Sequence, residues 1–215
     1  MAAKRKAKGP ALTEERIREA ALELIDREGI EGFSTRKLGA ALGCEAMAIY
    51  WYYPSKDALL DAVVDTLMTK MPVEPAKEGD WIDAFRKLAR AFRSLSKLHP
   101  RAFPLLATRR FATEGTYRFL EGVFALAKAN GIDDRTTARF YRAVSGYCAG
   151  VALNELAGDH DEDGAKARAA YPHIAAVWPY LEPEHYDDVF EFGLELLLEA
   201  LANAPRKAQV PKKRR

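Results

Sequence analysis

Thr35, Arg36 and Lys37 stand side by side, and Tyr50, Trp51, Tyr52 and Lys56 follow a short distance along the chain. These side chains suit the binding of a polyanion. The hydroxyls of Thr35, Tyr50 and Tyr52 can bond phosphate oxygens, and Lys56 at the start of a helix adds a charge to a helix N-terminus that already favours anions. Arg36, with Lys37 beside it, is the best base reader, because a guanidinium pairs bidentately with guanine, a contact worth roughly 1–3 kcal/mol of discrimination. Between these groups lie Glu45, Ala46, Met47 and Ala48, a face without amides or guanidinium groups, so contact with thymine methyls is the expected mode. Glu45 is read as a carboxylate favouring a helix N-terminus in preference to an acceptor from a cytosine amino group. Trp51 has two open readings, packing against a DNA backbone and plain burial. Ile49 and Tyr53, one turn apart, are expected in the core.

These residues must be held by helices, because apolar positions recur at helical spacing almost everywhere and strand signals are nearly absent. The expected fold class is all-α. Thr13 is a natural N-cap for a first helix ending at Gly29, with Ile17, Ala20, Ala21, Leu24 and Ile25 as its buried stripe. Ser34 or Thr35 starts a short helix to about Leu42, and Gly43 and Cys44 form the turn. A third helix is expected from Glu45 to about Tyr53. After Pro54, Ser55 and Asp57 suit the start of a fourth, with the stripe Leu59, Leu60, Val63, Val64 and Leu67. Further helices are expected over Trp81 to Leu98, Ala102 to Arg109, Thr113 to Asn130, Asp134 to Ala157, His173 to Trp178 and Pro183 to Asn203. The organisation read from these signals is a basic arm over residues 1–12, a three-helix helix-turn-helix module over 13–54, a connecting helix over 55–70, a larger helical domain over 71–204 and a basic tail over 205–215.

A helix, a short helix, a glycine turn and a second short helix make a helix-turn-helix, whose last helix can enter a major groove. The residues from Gly29 to Leu38, then Leu42-Gly43, and above all the run Ile49-Tyr50-Trp51-Tyr52-Tyr53-Pro54-Ser55-Lys56-Asp57-Ala58-Leu59-Leu60 resemble the TetR family of transcriptional regulators. Trp81 with Phe92-Arg93, Thr108-Arg109, and Phe192-Gly193-Leu194-Glu195-Leu196 extend the resemblance, within that family, to the subclass containing the tetracycline repressor. The resemblance implies a repressor that binds double-stranded operator DNA as a homodimer and responds to a small-molecule effector. It also implies that Arg36 occupies a base-contacting position.

The same resemblance implies a ligand chamber in the larger domain. Phe85, Leu88, Phe92, Leu105, Val123, Tyr147 and Trp178 are candidates to line it, with Thr108, Arg109, Asn154 or a tyrosine hydroxyl to orient the ligand. The alternative for the aromatic residues is an ordinary packed core. Drug and magnesium in the tetracycline repressor are held by polar groups at positions that align with Pro72, Leu88, Leu105, Val123 and Asn154 here. Leu105 and Asn154 replace a histidine and a carboxylate, and an alkyl chain offers a hard cation nothing. A largely apolar effector, and no magnesium-tetracycline, is therefore expected. The long apolar stripes from Asp134 to Ala157 and from Pro183 to Asn203 are expected at a dimer interface, which would give two reading heads and a palindromic operator.

Composition is that of an ordinary globular chain, 215 residues with 48% hydrophobic and 30% charged residues and a formal net charge of +2. No apolar run approaches the roughly 20 residues of a membrane span. A cytoplasmic protein is expected, since no apolar segment follows the basic start. Cys44 and Cys148 are read as reduced thiols, and His99, His160, His173 and His185 share no metal spacing, so neither cofactor nor metal site is expected. An enzyme is disfavoured, because no nucleophile and base stand at recognisable spacing and no glycine-rich phosphate loop occurs. A DNA-binding regulator or activator that acts without a ligand remains the alternative reading.

Overall fold

A computed structural model describes residues 11–71, 81–109, 113–158, 168 and 170–205. The basic arm before residue 11, the junction with Pro72, Phe111, the acidic loop with His160, and the basic tail after Pro205 lie outside the described residues. Every regular element in the described residues is helical, and no helix among them is long and apolar enough to cross a membrane. The packing separates into two units, one formed by residues up to 70 with 98–119, the other by 71–97 with the residues from 120 onward.

In the first unit α1 (Glu14–Gly32), α2 (Thr35–Leu42), α3 (Ala46–Tyr50) and α4 (Lys56–Thr69) are joined by α6 (Phe103–Thr108). Thr13 caps α1 by accepting a hydrogen bond from the Arg16 backbone N–H at 3.2 Å. Ile17, Ala21, Leu22, Leu24 and Ile25 are buried on α1, and Leu59, Leu60, Val63, Val64 and Leu67 on α4. Each fully buried Leu or Ile stabilises the unit by about 1.5–3 kcal/mol, so the two stripes form its core. The regular helix breaks at Gly29, where the sequence places its end. That glycine takes φ 79°, ψ 170° inside the helix, a kink that an L side chain would resist, and one more turn follows to Gly32.

Residues 98–119, which the sequence groups with the larger domain, make hydrogen bonds to α1 and α4 within this unit. His99 Nδ1 lies 2.6 Å from Asp26 Oδ2 of α1, and its Nε2 lies 3.0 Å from Lys70 Nζ. Arg101 donates to the Arg27 carbonyl. Thr113 donates to Asp65, whose carboxylate also fills the space over Gly115.

The second unit contains α5 (Trp81–Leu98) up to Lys97, most of α7 (Glu114–Ala129), α8 (Asp134–Ala157), α9 (Pro172–Val177) and α10 (Tyr186–Ala202). Two short 3-10 turns, Trp178–Tyr180 and Pro183–His185, precede α10, so the last helix starts later than its apolar stripe suggests. Asp133 caps α8, accepting from the Arg135 and Thr136 backbone N–H groups; the Thr136 hydroxyl and N–H together hold its carboxyl below the usual range. The helices α8 and α10 pack on each other. Tyr147 joins them, donating its hydroxyl hydrogen between the Val189 and Phe190 carbonyls at 2.9 and 3.0 Å and stacking on the Phe190 ring.

A buried ion pair crosses this unit. Arg93 of α5 donates to Glu155 of α8 at 2.7 Å and pairs with Asp187 of α10 at 2.7 Å. Burial works against the Arg93 charge, but the hydrogen bonds to Glu155 and Asp187 outweigh it and raise the guanidinium pKa. Arg86 and Arg90 repeat the pairing along α10 with Glu195 and Glu191.

Candidate nucleic-acid interface

The turn between α2 and α3 is built around two glycines. Gly43 caps α2 with φ 71°, ψ 30°, the left-handed conformation expected of it, and returns its N–H to the Ala40 and Gly39 carbonyls. Gly39 was not singled out by sequence reading. A Cβ there would lie 2.8 Å from the Cys44 carbonyl oxygen and 3.2 Å from the Ala46 nitrogen, so α3 approaches α2 as closely as only glycine allows. The signal was present, since a glycine inside a short helix costs about 1 kcal/mol against alanine and calls for a packing reason.

On this frame α3 is shorter than expected, ending at Tyr50, with the Tyr52 and Tyr53 N–H groups closing a turn on the Ile49 carbonyl. Ile49 and Tyr53 are buried, as their spacing implies. The outward face consists of Met47, Tyr50 and Trp51, at positions i, i+3 and i+4, with Met47 69% and Trp51 88% exposed. Burial of Trp51 is thereby excluded in the single chain. Ala46 and Ala48 flank the face half-covered. Glu45 stands at the N-cap of α3, exposed, without a side-chain capping bond, so its favourable effect on the helix is one of charge and position.

The polar candidates divide into engaged and unengaged groups. Tyr50 and Thr35 hydroxyls meet at 3.2 Å, which brings two of the expected phosphate contacts together. Lys56 lies over the Phe33 ring and donates to the Phe33 carbonyl at 3.2 Å, which places its ammonium beside the start of α2 with N–H groups to spare. Arg36 is exposed, and among the described residues nothing hydrogen-bonds its guanidinium.

Lys37 and Tyr52 depart from expectation. The Lys37 ammonium is held by Glu28 at 2.6 Å and the Gly32 carbonyl at 2.8 Å. Its hydrogen bond, followed by that of Arg27, keeps the Glu28 carboxyl below its usual range, so the Lys37 charge is matched within the protein. The Tyr52 hydroxyl donates to the Leu12 carbonyl at 2.8 Å and ties down the segment ahead of α1, where a phosphate donor was expected.

The residues expected to hold a ligand are not drawn into one group within either unit. Leu105, Thr108 and Arg109 belong to the first unit, and Phe85, Leu88, Phe92, Val123, Tyr147, Asn154 and Trp178 to the second. Phe85 is buried, with edge-to-face contacts to Trp81 at 6.1 Å and Phe140 at 5.4 Å. Leu105 and Val123 are buried too, while Leu88, Phe92 and Trp178 are half-buried. Asn154 is exposed.

Three of the expected orienting groups are already engaged. The Thr108 hydroxyl donates to the Pro104 carbonyl, Tyr147 is committed to α10, and the Arg109 guanidinium turns onto α4. A cleft of about 260 Å³ in the second unit is lined by Arg90, Arg93, Ser94, Lys97, Asp187, Phe190 and Glu191. None of these was a ligand candidate, and the charges there are paired. Cys148 is a buried thiol, pushed by burial up to about 12, which makes it inert.

The sequence pattern described as "Bacterial regulatory proteins, tetR family" matches residues 17–63, and that described as "Tetracyclin repressor-like, C-terminal domain" matches residues 74–204. The HTH-type transcriptional repressor DrrR1 of Streptomyces coeruleorubidus is 31% identical, over 89% of this chain and 78% of that protein. The class A tetracycline repressor protein from transposon 1721 of Escherichia coli is 29% identical, over 85% and 87% of the respective chains. The Streptomyces coelicolor TetR family protein ActR, solved in complex with (S)-DNPA, shares the fold, with a TM-score of 0.78 at 24% identity over 91% of this chain and 100% of that one. With its helix-turn-helix, its all-helical fold and these matches along most of its length, the chain belongs to the tetR family of bacterial regulatory proteins, which are DNA-binding transcription regulators.

Proposed function

We propose that this protein is a cytoplasmic homodimeric repressor that binds a two-fold symmetric operator and leaves it when a small, largely apolar effector binds. The observation that carries the DNA reading is the contrast on the helix-turn-helix between an unengaged Arg36 and an exposed Met47, Tyr50 and Trp51 face. Arg36 supplies hydrogen-bonded base readout, and the apolar face suits thymine methyls and sugar edges. Thr35, Tyr50 and Lys56 hold phosphates. Dimerisation is supported by exposed apolar residues on α10, namely Val189, Phe192 and Leu196, and by Gly146 and Gly150 of α8, where open space stands in place of side chains.

Effector response is supported by relatives named as tetracycline repressors. Magnesium-tetracycline itself does not fit, since the resemblance puts Leu105, a buried alkyl group, and Asn154, an exposed amide, at the metal positions. The effector acts by favouring a spacing of the two heads that cannot meet successive major grooves, with α4 as the link to the DNA module. Relatives named as transcriptional regulators support reading the protein as a binding protein without enzymatic activity.

Selection of genomic fragments on the purified protein, followed by fluorescence anisotropy at fixed salt, tests this. A palindromic site bound at least about 10³-fold more tightly than random DNA is expected. Arg36→Ala should relax preference at one base position in each half-site, and Lys56→Ala should weaken all sequences alike. Binding without preference over random DNA would end the repressor reading.

A further inference from the structure

Arg109 entered as a candidate to orient a ligand, yet its guanidinium is committed elsewhere. It follows α6 as the C-cap residue, its backbone N–H returning to the Leu105 carbonyl at 2.9 Å. Nε donates to Asp61 Oδ1 at 2.7 Å, and Nη2 donates to the Asp57 carbonyl at 3.2 Å and to Asp57 Oδ1 at 3.1 Å. Asp57 and Asp61 are one turn apart on the first two turns of α4, and Asp57 directly follows Lys56.

The consequence is electrostatic. The start of α4 lies beside the start of α2 through the Lys56 bond to the Phe33 carbonyl, and two carboxylates sit in the first two turns of that same α4, one of them on the residue after Lys56. Uncompensated, they would oppose the attraction that Lys56 and the helix N-terminus provide. The Asp57 side chain is 82% exposed, so water alone screens it on the open side. The Arg109 side chain is largely covered and offsets one of the two negative charges from the covered side.

We infer that Arg109 is a positioning residue for DNA binding, which offsets part of the negative charge of Asp57 and Asp61 and so lowers the repulsion that phosphate meets at the start of α4. This rests on the repressor reading above and assigns to DNA affinity a residue outside the helix-turn-helix.

The test compares wild type, Arg109→Ala, Asp57→Asn and the double variant by anisotropy on operator and on random DNA, at several salt concentrations, with circular dichroism confirming the helical fold. Arg109→Ala is expected to weaken both DNAs about tenfold at low salt, with the loss shrinking as salt screens the exposed carboxylates over a Debye length of about 10 Å at 0.1 M. Asp57→Asn removes an exposed charge and is expected to bind as tightly as wild type or more so. Added to Arg109→Ala, it should restore most of the lost affinity. A plain structural tether predicts the reverse, with Asp57→Asn weakening binding and no rescue in the double variant. That result, or an Arg109→Ala protein that binds like wild type, overturns the inference while leaving the repressor reading intact. A wild-type protein that binds no DNA overturns both.

Discussion

At the scale of single residues, the structure separates neighbours that sequence chemistry treats alike. Arg36 and Lys37 are adjacent cations, yet Lys37 is bound by Glu28 from the preceding helix, a partner that only the turn between α1 and α2 brings within reach. Residue type was therefore legible and availability was not. Tyr52 shows the same, because its partner is a backbone carbonyl, which carries no residue signature. Gly39 gives the sharpest consequence at this scale. Gly39→Ala puts a methyl group into contact with the backbone at Cys44 and Ala46, where no flexible side chain can yield. The expected result is an α3 displaced from α2 by a few tenths of an ångström. Operator affinity should fall by at least about tenfold, because misplacing a reading helix costs base contacts worth roughly 1–3 kcal/mol each. Anisotropy on operator and random DNA checks it, and loss of the preference for operator is the expected signature. An alanine variant with unchanged preference would show that the close approach is not needed for reading.

At the scale of elements, boundaries marked by caps were readable and those marked by irregular backbone were not. Thr13 and Ser55 cap their helices as their types suggest. The 3-10 turns before α10 lie in a segment whose pattern reads as helix, so periodicity could not reveal them. The pairing of helices was also hidden, since ion pairs between distant positions have no local signature. Arg93 is the clearest example. Its side chain and that of Glu155 are 8% and 9% exposed, and the two join α5 to α8. Removing one partner strands a buried charge, so Arg93→Ala should destabilise the protein by on the order of 3–5 kcal/mol. Replacing both partners with apolar side chains of similar volume should cost far less. Urea unfolding at a fixed protein concentration reads both effects, and equal losses from the single and joint changes would show that packing of the side-chain stems, and not the charge, dominates there.

At the scale of the whole molecule, the proposed function depends on a second copy, which one chain can suggest only through what it leaves uncovered. The sequence points to α8 and α10 by the width of their apolar stripes, and in the single chain the α10 apolar residues divide into a buried and an exposed set. Phe190, Leu194, Leu198 and Leu201 are buried within the unit, while Phe192 at 68% and Leu196 at 52% exposure stand on the free side. On α8, Gly146 and Gly150 have open space where side chains would stand, which suits close helix approach. Two carboxylates on this face, Phe192→Asp with Leu196→Asp, should leave the buried stripe untouched and repel a second copy bearing the same change. Light scattering should then report a monomer, with the helical content of the single chain retained. A palindrome gains from two linked heads by about 10²–10⁴-fold, so operator affinity should drop by at least about a hundredfold while binding to an isolated half-site changes little. A protein that stays dimeric and keeps its operator affinity would move the interface off this face, and with it the reason that α10 carries apolar residues on two sides.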